Sequence, residues 1–208
     1  MNKRYQDKIC LVTASASGIG QAIAERFAKE GATVLINSRK ASNVNPVVDK
    51  INKEGGKAVA YVGNMAHEQD RKKVVKRIEE EYGRLDVLVL NHATSLHFGL
   101  TLDTPDKAID AMFNTNFKSF VLLIRDLYPF IVKVKGNILM NASYTGYDPD
   151  KMLGIYGALK SGVLGLVKVF AKEFQFDGVR VNGVAPGIIK TKFAAPLYAD
   201  KNSEETIK

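Results

Sequence analysis

The chain has 208 residues, enough for one domain with a substantial core. Its 46% hydrophobic and 25% charged residues are those of an ordinary globular protein, and no apolar run is expected to span a membrane. The formal charge of +8 comes from lysines and arginines spread along helix faces, as in Arg71-Lys72-Lys73, with no interleaved aromatics, which argues against a nucleic-acid partner.

The opening residues, Met1 to Asp7, are too polar for a signal peptide. The apolar residues that follow form a strand from Ile9 to Thr13. Cys10 lies in that strand. As the single cysteine it can form no internal disulfide, which fits a reducing, intracellular compartment, and its apolar setting reads as inert packing. A glycine-containing turn then leads into a helix from about Ile19 to Lys29, which Gly31 stops. Thr33 to Asn37 is the second strand. Val44, Val47, Val48 and Ile51 recur at i, i+3, i+4, i+7, one apolar helix stripe that ends at Gly55-Gly56. Lys57 to Val62 is the third strand. Val74, Val75, Ile78 and Tyr82 mark the next helix, capped by Gly83.

Asp86 to Asn91 is the fourth strand. A long helix is predicted from about Asp106 to Val132, and Pro129 should kink or end it. Asn137 to Ala142 is the fifth strand, a helix follows from about Gly154 to Phe174, and Val179 to Val184 is the sixth strand. Strands apolar on both faces, separated by helices, predict an α/β fold: a Rossmann-like doubly wound parallel sheet of about six strands with helices on both faces. Without linker or repeat, residues 1–208 read as a single domain.

The first strand and helix are joined by Thr13-Ala14-Ser15-Ala16-Ser17-Gly18-Ile19-Gly20. Small residues let backbone amides approach a pyrophosphate, and the helix N-terminus adds partial positive charge. At the end of the second strand an acidic residue would hold a ribose 2′-hydroxyl. The chain instead reads Ser38-Arg39-Lys40, and Arg39 can fork onto a 2′-phosphate. NADP(H) is therefore expected in preference to NAD(H).

Tyr156 and Lys160 lie four residues apart on a predicted helix and share a face. An adjacent ammonium is expected to lower the phenol's pKa and suit it to acid–base work on a carbonyl oxygen, to which Ser143 would also donate. Tyr147 and Lys151 repeat the spacing, but Pro149 lies between them and speaks against a helix there. His92 reads as a packed or hydrogen-bonded strand-end residue. No metal site is expected.

Together these residues resemble the short-chain dehydrogenase/reductase family. The resemblance covers the whole chain: the phosphate turn, Leu85 to Ala93, Asn116, Ser143 with Tyr156 thirteen residues on, Lys160, and Pro186-Gly187-Ile188-Ile189-Lys190-Thr191. Val12 to Ser15 and Ser38-Arg39-Lys40 with Asn43-Val44 are most similar to its NADPH-dependent carbonyl and retinal reductases. The resemblance implies that Tyr156 is the acid/base, that Lys160 holds the nicotinamide ribose, that Ser143 orients the carbonyl, and that Asn116 anchors a proton-relaying water. It places Asn64 and Met65 by the adenine, Asn91 and Ala93 in the cofactor cleft, and Pro186, Gly187, Ile189 and Thr191 by the carboxamide. His97, Tyr144, Tyr147, Met152 and Leu153 would line a pocket for a small carbonyl or alcohol. Ala14 stands where the family usually has glycine, and His92 and Thr94 alter its Asn-Asn-Ala-Gly run.

Family members continue past Lys208 through another helix and a seventh strand. The resemblance therefore implies a domain incomplete at its C-terminus, with the sixth strand as an apolar edge. It implies a homodimer through the long helix and the Tyr156 helix, and a tetramer only with the extension. No peroxisomal tripeptide ends the sequence. A truncated, non-catalytic nucleotide-binding or interaction protein is the alternative reading.

Overall fold

In a computed structural model, residues 3–195 are described; the expectations placed on the end of the chain lie outside them. Six strands form one sheet in the order β3-β2-β1-β4-β5-β6: β1 (Ile9–Val12), β2 (Thr33–Ser38), β3 (Lys57–Val62), β4 (Val87–Leu90), β5 (Asn137–Asn141) and β6 (Arg180–Val184). All five pairings are parallel, with Leu11 opposite Leu35 on one side and Leu88 on the other.

Successive strand residues point to opposite faces, so each inner strand feeds two cores. Leu11, Leu35, Leu88, Leu90 and Met140 pack with α3 (Glu68–Glu81), α5 (Ser119–Val132) and α6 (Gly154–Glu173). Cys10, Val12, Val34, Ile36 and Val89 pack with α1 (Gly18–Lys29) and α2 (Ala41–Lys53). Cys10 is fully buried, which pushes its thiol up to about 12 and leaves it unreactive. The chain runs outward from β1 to β3 and returns to β4 on β1's other side. The order therefore reverses between β1 and β4, and a crevice opens past their C-terminal ends.

The structure departs from the sequence expectations in three places. The long helix is two, α4 (Asp106–Phe113) and α5, separated by a turn of π-helix over Asn114–Lys118. Pro129 does not end α5, which runs on to Val132. Pro129 is exposed and costs one backbone hydrogen bond, while buried Leu127, Phe130 and Ile131 hold the turn in place. Helix α6, at 20 residues, is long and apolar enough by length and composition to cross a bilayer, against the expectation that no such run exists. Its lysines interrupt the run in the sequence. In the fold it packs on β6, with Tyr156, Lys160 and Val163 buried. Among the described residues β3 and β6 are the edges of the sheet, and Val181 is the one buried residue along β6.

Candidate active site

The turn after β1 is held from three sides. The Ser15 hydroxyl donates to the Val12 carbonyl at 2.6 Å, and its amide donates to the Asn37 carbonyl at 2.8 Å. Asn91 Nδ2 donates to the carbonyls of Thr13 and Ala14, at 3.1 and 3.2 Å. These contacts keep Ala14 at φ +49°, a left-handed conformation that costs a side-chain-bearing residue about 1 kcal/mol. At Gly20 a Cβ would lie 2.4 Å from the Ala14 carbonyl oxygen and 2.5 Å from Asn91 Nδ2, so glycine is what lets α1 close on the turn. Ser17 caps α1 without a side-chain hydrogen bond, and the first turn carries no acid. Its amides and partial positive charge are thus free to meet an anion, which fits a pyrophosphate.

Ser143 follows β5 in extended conformation, and its hydroxyl accepts from the Thr145 amide at 3.2 Å and hydroxyl at 2.9 Å. Tyr156 and Lys160 lie on the first turns of α6, with Lys160 Nζ 5.5 Å from the centre of the Tyr156 ring. Lys160 is 2% exposed, and its Nζ donates to the Asn141 carbonyl at 2.6 Å. Asn141 Nδ2 in turn donates to Asn91 Oδ1 at 2.7 Å, so hydrogen bonds run from the lysine to the phosphate turn. Burial pushes the Lys160 ammonium down to about 7. Burial also pushes the Tyr156 phenol up to about 12, with the Ser143 hydroxyl pulling it the other way. The expected lowering of the phenol is therefore corrected: desolvation sets the direction at both groups, and at Tyr156 it outweighs the Ser143 hydrogen bond.

A cleft of about 930 Å³ connects these parts. Ser38, Arg39, Asn64 and Met65 line one end, and Ser17, Gly18, Ile19, Asn91 and Ala93 the middle. Ser143, Tyr156 and Lys160 line the other end, and Pro186, Gly187, Ile189 and Thr191 also line the cleft, with Thr191 beside Gly18. Thr13, Ser15, Gly20 and Lys40 do not line it. Thr13 and Ser15 are fully buried and tie the turn to β4 and β2. Gly20 faces the turn, and Lys40 caps α2 at the surface. Asn116 is fully buried in the π turn behind the wall. Its Oδ1 accepts from the Thr94 amide at 2.8 Å, and its Nδ2 donates to the Thr94 carbonyl at 2.7 Å.

Of the expected pocket residues, Tyr144 and Leu153 reach the cleft, whereas His97, Tyr147 and Met152 do not. His97 donates to the Leu100 carbonyl at 3.0 Å, and Tyr147 is 73% exposed. Sequence reasoning misses Asn43, Ser95, Leu96, Phe98, Asn141 and Phe193, all on the cleft surface. Asn141 carried a readable signal, an amide at the C-terminal end of a strand whose middle is apolar. Phe193, whose ring centre lies 5.8 Å from that of Tyr156, follows the last motif and has no periodicity to reveal it.

Comparison with known proteins agrees with this geometry. The short chain dehydrogenase family profile matches residues 8–202. Dehydrogenase/reductase SDR family member 4 of Caenorhabditis elegans is 37% identical over 198 residues, 94% of this chain and 76% of the relative. Tropinone reductase-like 3 of Erythroxylum coca is 35% identical over 207 residues, 100% of this chain and 80% of the relative. Among solved structures, L-sorbose reductase from Gluconobacter frateurii, complexed with NADPH and L-sorbose, has a TM-score of 0.89 at 28% identity, covering 99% of this chain and 80% of that one. 3-Oxoacyl-(acyl-carrier-protein) reductase from Agrobacterium tumefaciens, with NADP bound, has a TM-score of 0.86 at 26% identity, covering 97% of this chain and 76% of that one.

Proposed function

We propose, from the premise that this chain belongs to the short-chain dehydrogenase family of oxidoreductases, that it reversibly reduces a ketone or aldehyde to an alcohol with NADPH. The observation that carries this reading is one cleft with Ser143, Tyr156 and Lys160 at one end and Arg39, without a carboxylate, at the other. The nicotinamide would supply or accept the hydride. The free amides of the first turn of α1 would hold the pyrophosphate, and Ser38 and Arg39 the 2′-phosphate. Ser143 donates a hydrogen bond to the substrate oxygen. Tyr156, protonated at neutral pH, gives that oxygen its proton, and the Lys160 ammonium stabilises the phenolate left behind. Asn116 pins Thr94 in the wall and is proposed to hold the water that returns the proton.

NADPH oxidation by this chain against a panel of ketones, aldehydes and diketones tests the activity. Intact NADPH binding with no turnover would favour the non-catalytic nucleotide-binding reading. Calorimetric titration tests the cofactor. NADPH should bind more tightly than NADH, and Arg39→Ala should remove about 1.5–3 kcal/mol of NADPH affinity, the worth of a charged hydrogen bond. Equal affinities for both cofactors would overturn the preference. A second copy would dock on the α4–α5 region and α6, a reading supported by the exposed Phe113 at the end of α4 and Val169 on α6. Light scattering that finds only monomer would overturn that part.

A further inference from the structure

His92 lies just past β4, 8% exposed, with its ring edge-on to Phe120 at 4.8 Å. Both ring nitrogens are engaged: Nδ1 lies 2.8 Å from Thr13 Oγ1, and Nε2 lies 2.8 Å from Ser119 Oγ. The partners fix the direction of each bond. Ser119 Oγ gives its only proton to the Thr115 carbonyl at 2.6 Å, so it accepts from the imidazole Nε2–H. Nδ1 must then accept, and Thr13 Oγ1 is its donor at 2.8 Å, in preference to the Val89 carbonyl at 3.1 Å, which already accepts the Thr13 amide at 3.0 Å. Thr13 Oγ1 in turn accepts the amides of Asn91 and His92, at 2.8 and 3.2 Å. Burial, with the charges of Lys160 and Arg71 adding to it, pushes the imidazole down to about 3. With both ring nitrogens held in hydrogen bonds, His92 has no free ring atom to offer a substrate.

The two ends of this link are the two arms of the site. Thr13 begins the phosphate turn. Thr115 and Ser119 flank Asn116 in and just after the π turn, where the regular helical ladder is interrupted and the Ser119 hydroxyl takes a main-chain carbonyl. That turn aims Asn116 inward at Thr94 in the cleft wall. We propose that His92 is a positioning residue, a neutral imidazole protonated on Nε2, that locks the π turn bearing Asn116 to the strand end bearing the phosphate turn. The proposal rests on the hydride-transfer reading only for its kinetic readout.

A long-range proton–nitrogen correlation spectrum of the unmodified protein should give the Nε2–H tautomer of His92 throughout about pH 5 to 9. An Nδ1–H ring or a titrating imidazolium overturns the proposal. His92→Phe removes the link but adds ring volume at a buried position, so Ser119→Ala, which cuts the same link without adding volume, is its control. Thr13 Oγ1 can then donate to the Val89 carbonyl, 3.1 Å away, and Ser119 keeps Thr115, so no polar group is stranded. Amide exchange across residues 114–119 should rise about tenfold in His92→Phe while that of β2 stays as it was, the size expected for one lost hydrogen bond. The kcat should fall by about the same factor, with NADPH affinity nearly unchanged. Ser119→Ala should give the same loss, and the double variant no more than either single one. Unchanged exchange in His92→Phe, or additive losses, overturns the proposal. Should His92→Phe fail to fold, the wild-type tautomer and Ser119→Ala still decide. If the unmodified protein turns over no carbonyl, the hydride-transfer reading fails, while the spectrum and the exchange data still test His92.

Discussion

Tyr147/Lys151 and Tyr156/Lys160 share one spacing and almost one neighbourhood, yet they are different objects. Tyr147 is 73% exposed, and Lys151 lies in the irregular segment between a 3₁₀ turn and α6, with Pro149 between the two. Tyr156 and Lys160 are on α6, where four residues make one turn and both side chains enter the same crevice. The second pair is buried, and there desolvation moves both groups, the phenol up and the ammonium down. Four-residue spacing becomes chemistry only when a helix supplies the period and a sheet supplies the burial.

The sharpest way to break this contrast is to remove each hydroxyl. Tyr156→Phe should lower kcat about a thousandfold, the scale of a lost general acid, with calorimetric NADPH affinity close to wild type. Tyr147→Phe should stay within about twofold, since no proton transfer depends on it. A dead Tyr147→Phe beside an active Tyr156→Phe would reverse the assignment.

The lysines provide a second contrast, read as stability. Folding lowers the Lys160 pKa from 10.5 to about 7, so between those values the unfolded chain holds a proton that the folded chain gives up. The cost of burying the ammonium is thus complete below about pH 7 and fades as pH rises toward 10.5. Lys160→Met should therefore have its most favourable melting temperature, relative to wild type, near about pH 6, with the advantage shrinking by several degrees toward about pH 10. The lost hydrogen bond to Asn141 offsets the whole curve without changing its slope. Lys151→Met, at an exposed position, should leave the melting temperature where it was. A pH-independent Lys160→Met difference would mean that burial does not set this group's proton affinity.

What was legible in the sequence follows the same line. Periodicity places all six strands, and the helix stripes of Val44-Val47-Ile51 and Val74-Ile78 lie on buried faces. The family motifs fall along one cleft, because they are defined by residue type at fixed spacing. Three things were not legible, each because it depends on contacts distant in sequence. The left-handed Ala14 is imposed by Ser15 and Asn91, the second of which comes from β4's end. The π turn looks like uninterrupted helix until Asn116 meets Thr94. The direction of the Tyr156 shift depends on burial, whereas spacing reveals only the neighbouring charge.

The smallest predicted effect lies where the two pairs touch. Gly157 follows Tyr156 on α6 and is buried against the segment that carries Tyr147. A Cβ there would lie 3.1 Å from the Thr145 carbonyl oxygen and 3.1 Å from Pro149 Cβ. Alanine gains about 1 kcal/mol of helix propensity over glycine, while overpacking a tight contact costs about 1–3 kcal/mol. The sign turns on whether Thr145 and Pro149 can retreat. Thr145 is 1% exposed and held to Ser143 Oγ by both its amide and its hydroxyl, so it cannot move without pulling Ser143. Gly157→Ala should therefore lose about 1 kcal/mol net, a drop of about 2–4 °C in melting temperature for a chain of this size. It should also lower kcat a few-fold through Ser143, with NADPH affinity unchanged. A higher melting temperature with full activity would mean that the exposed segment yields freely, and that Ser143 takes its position from β5 alone.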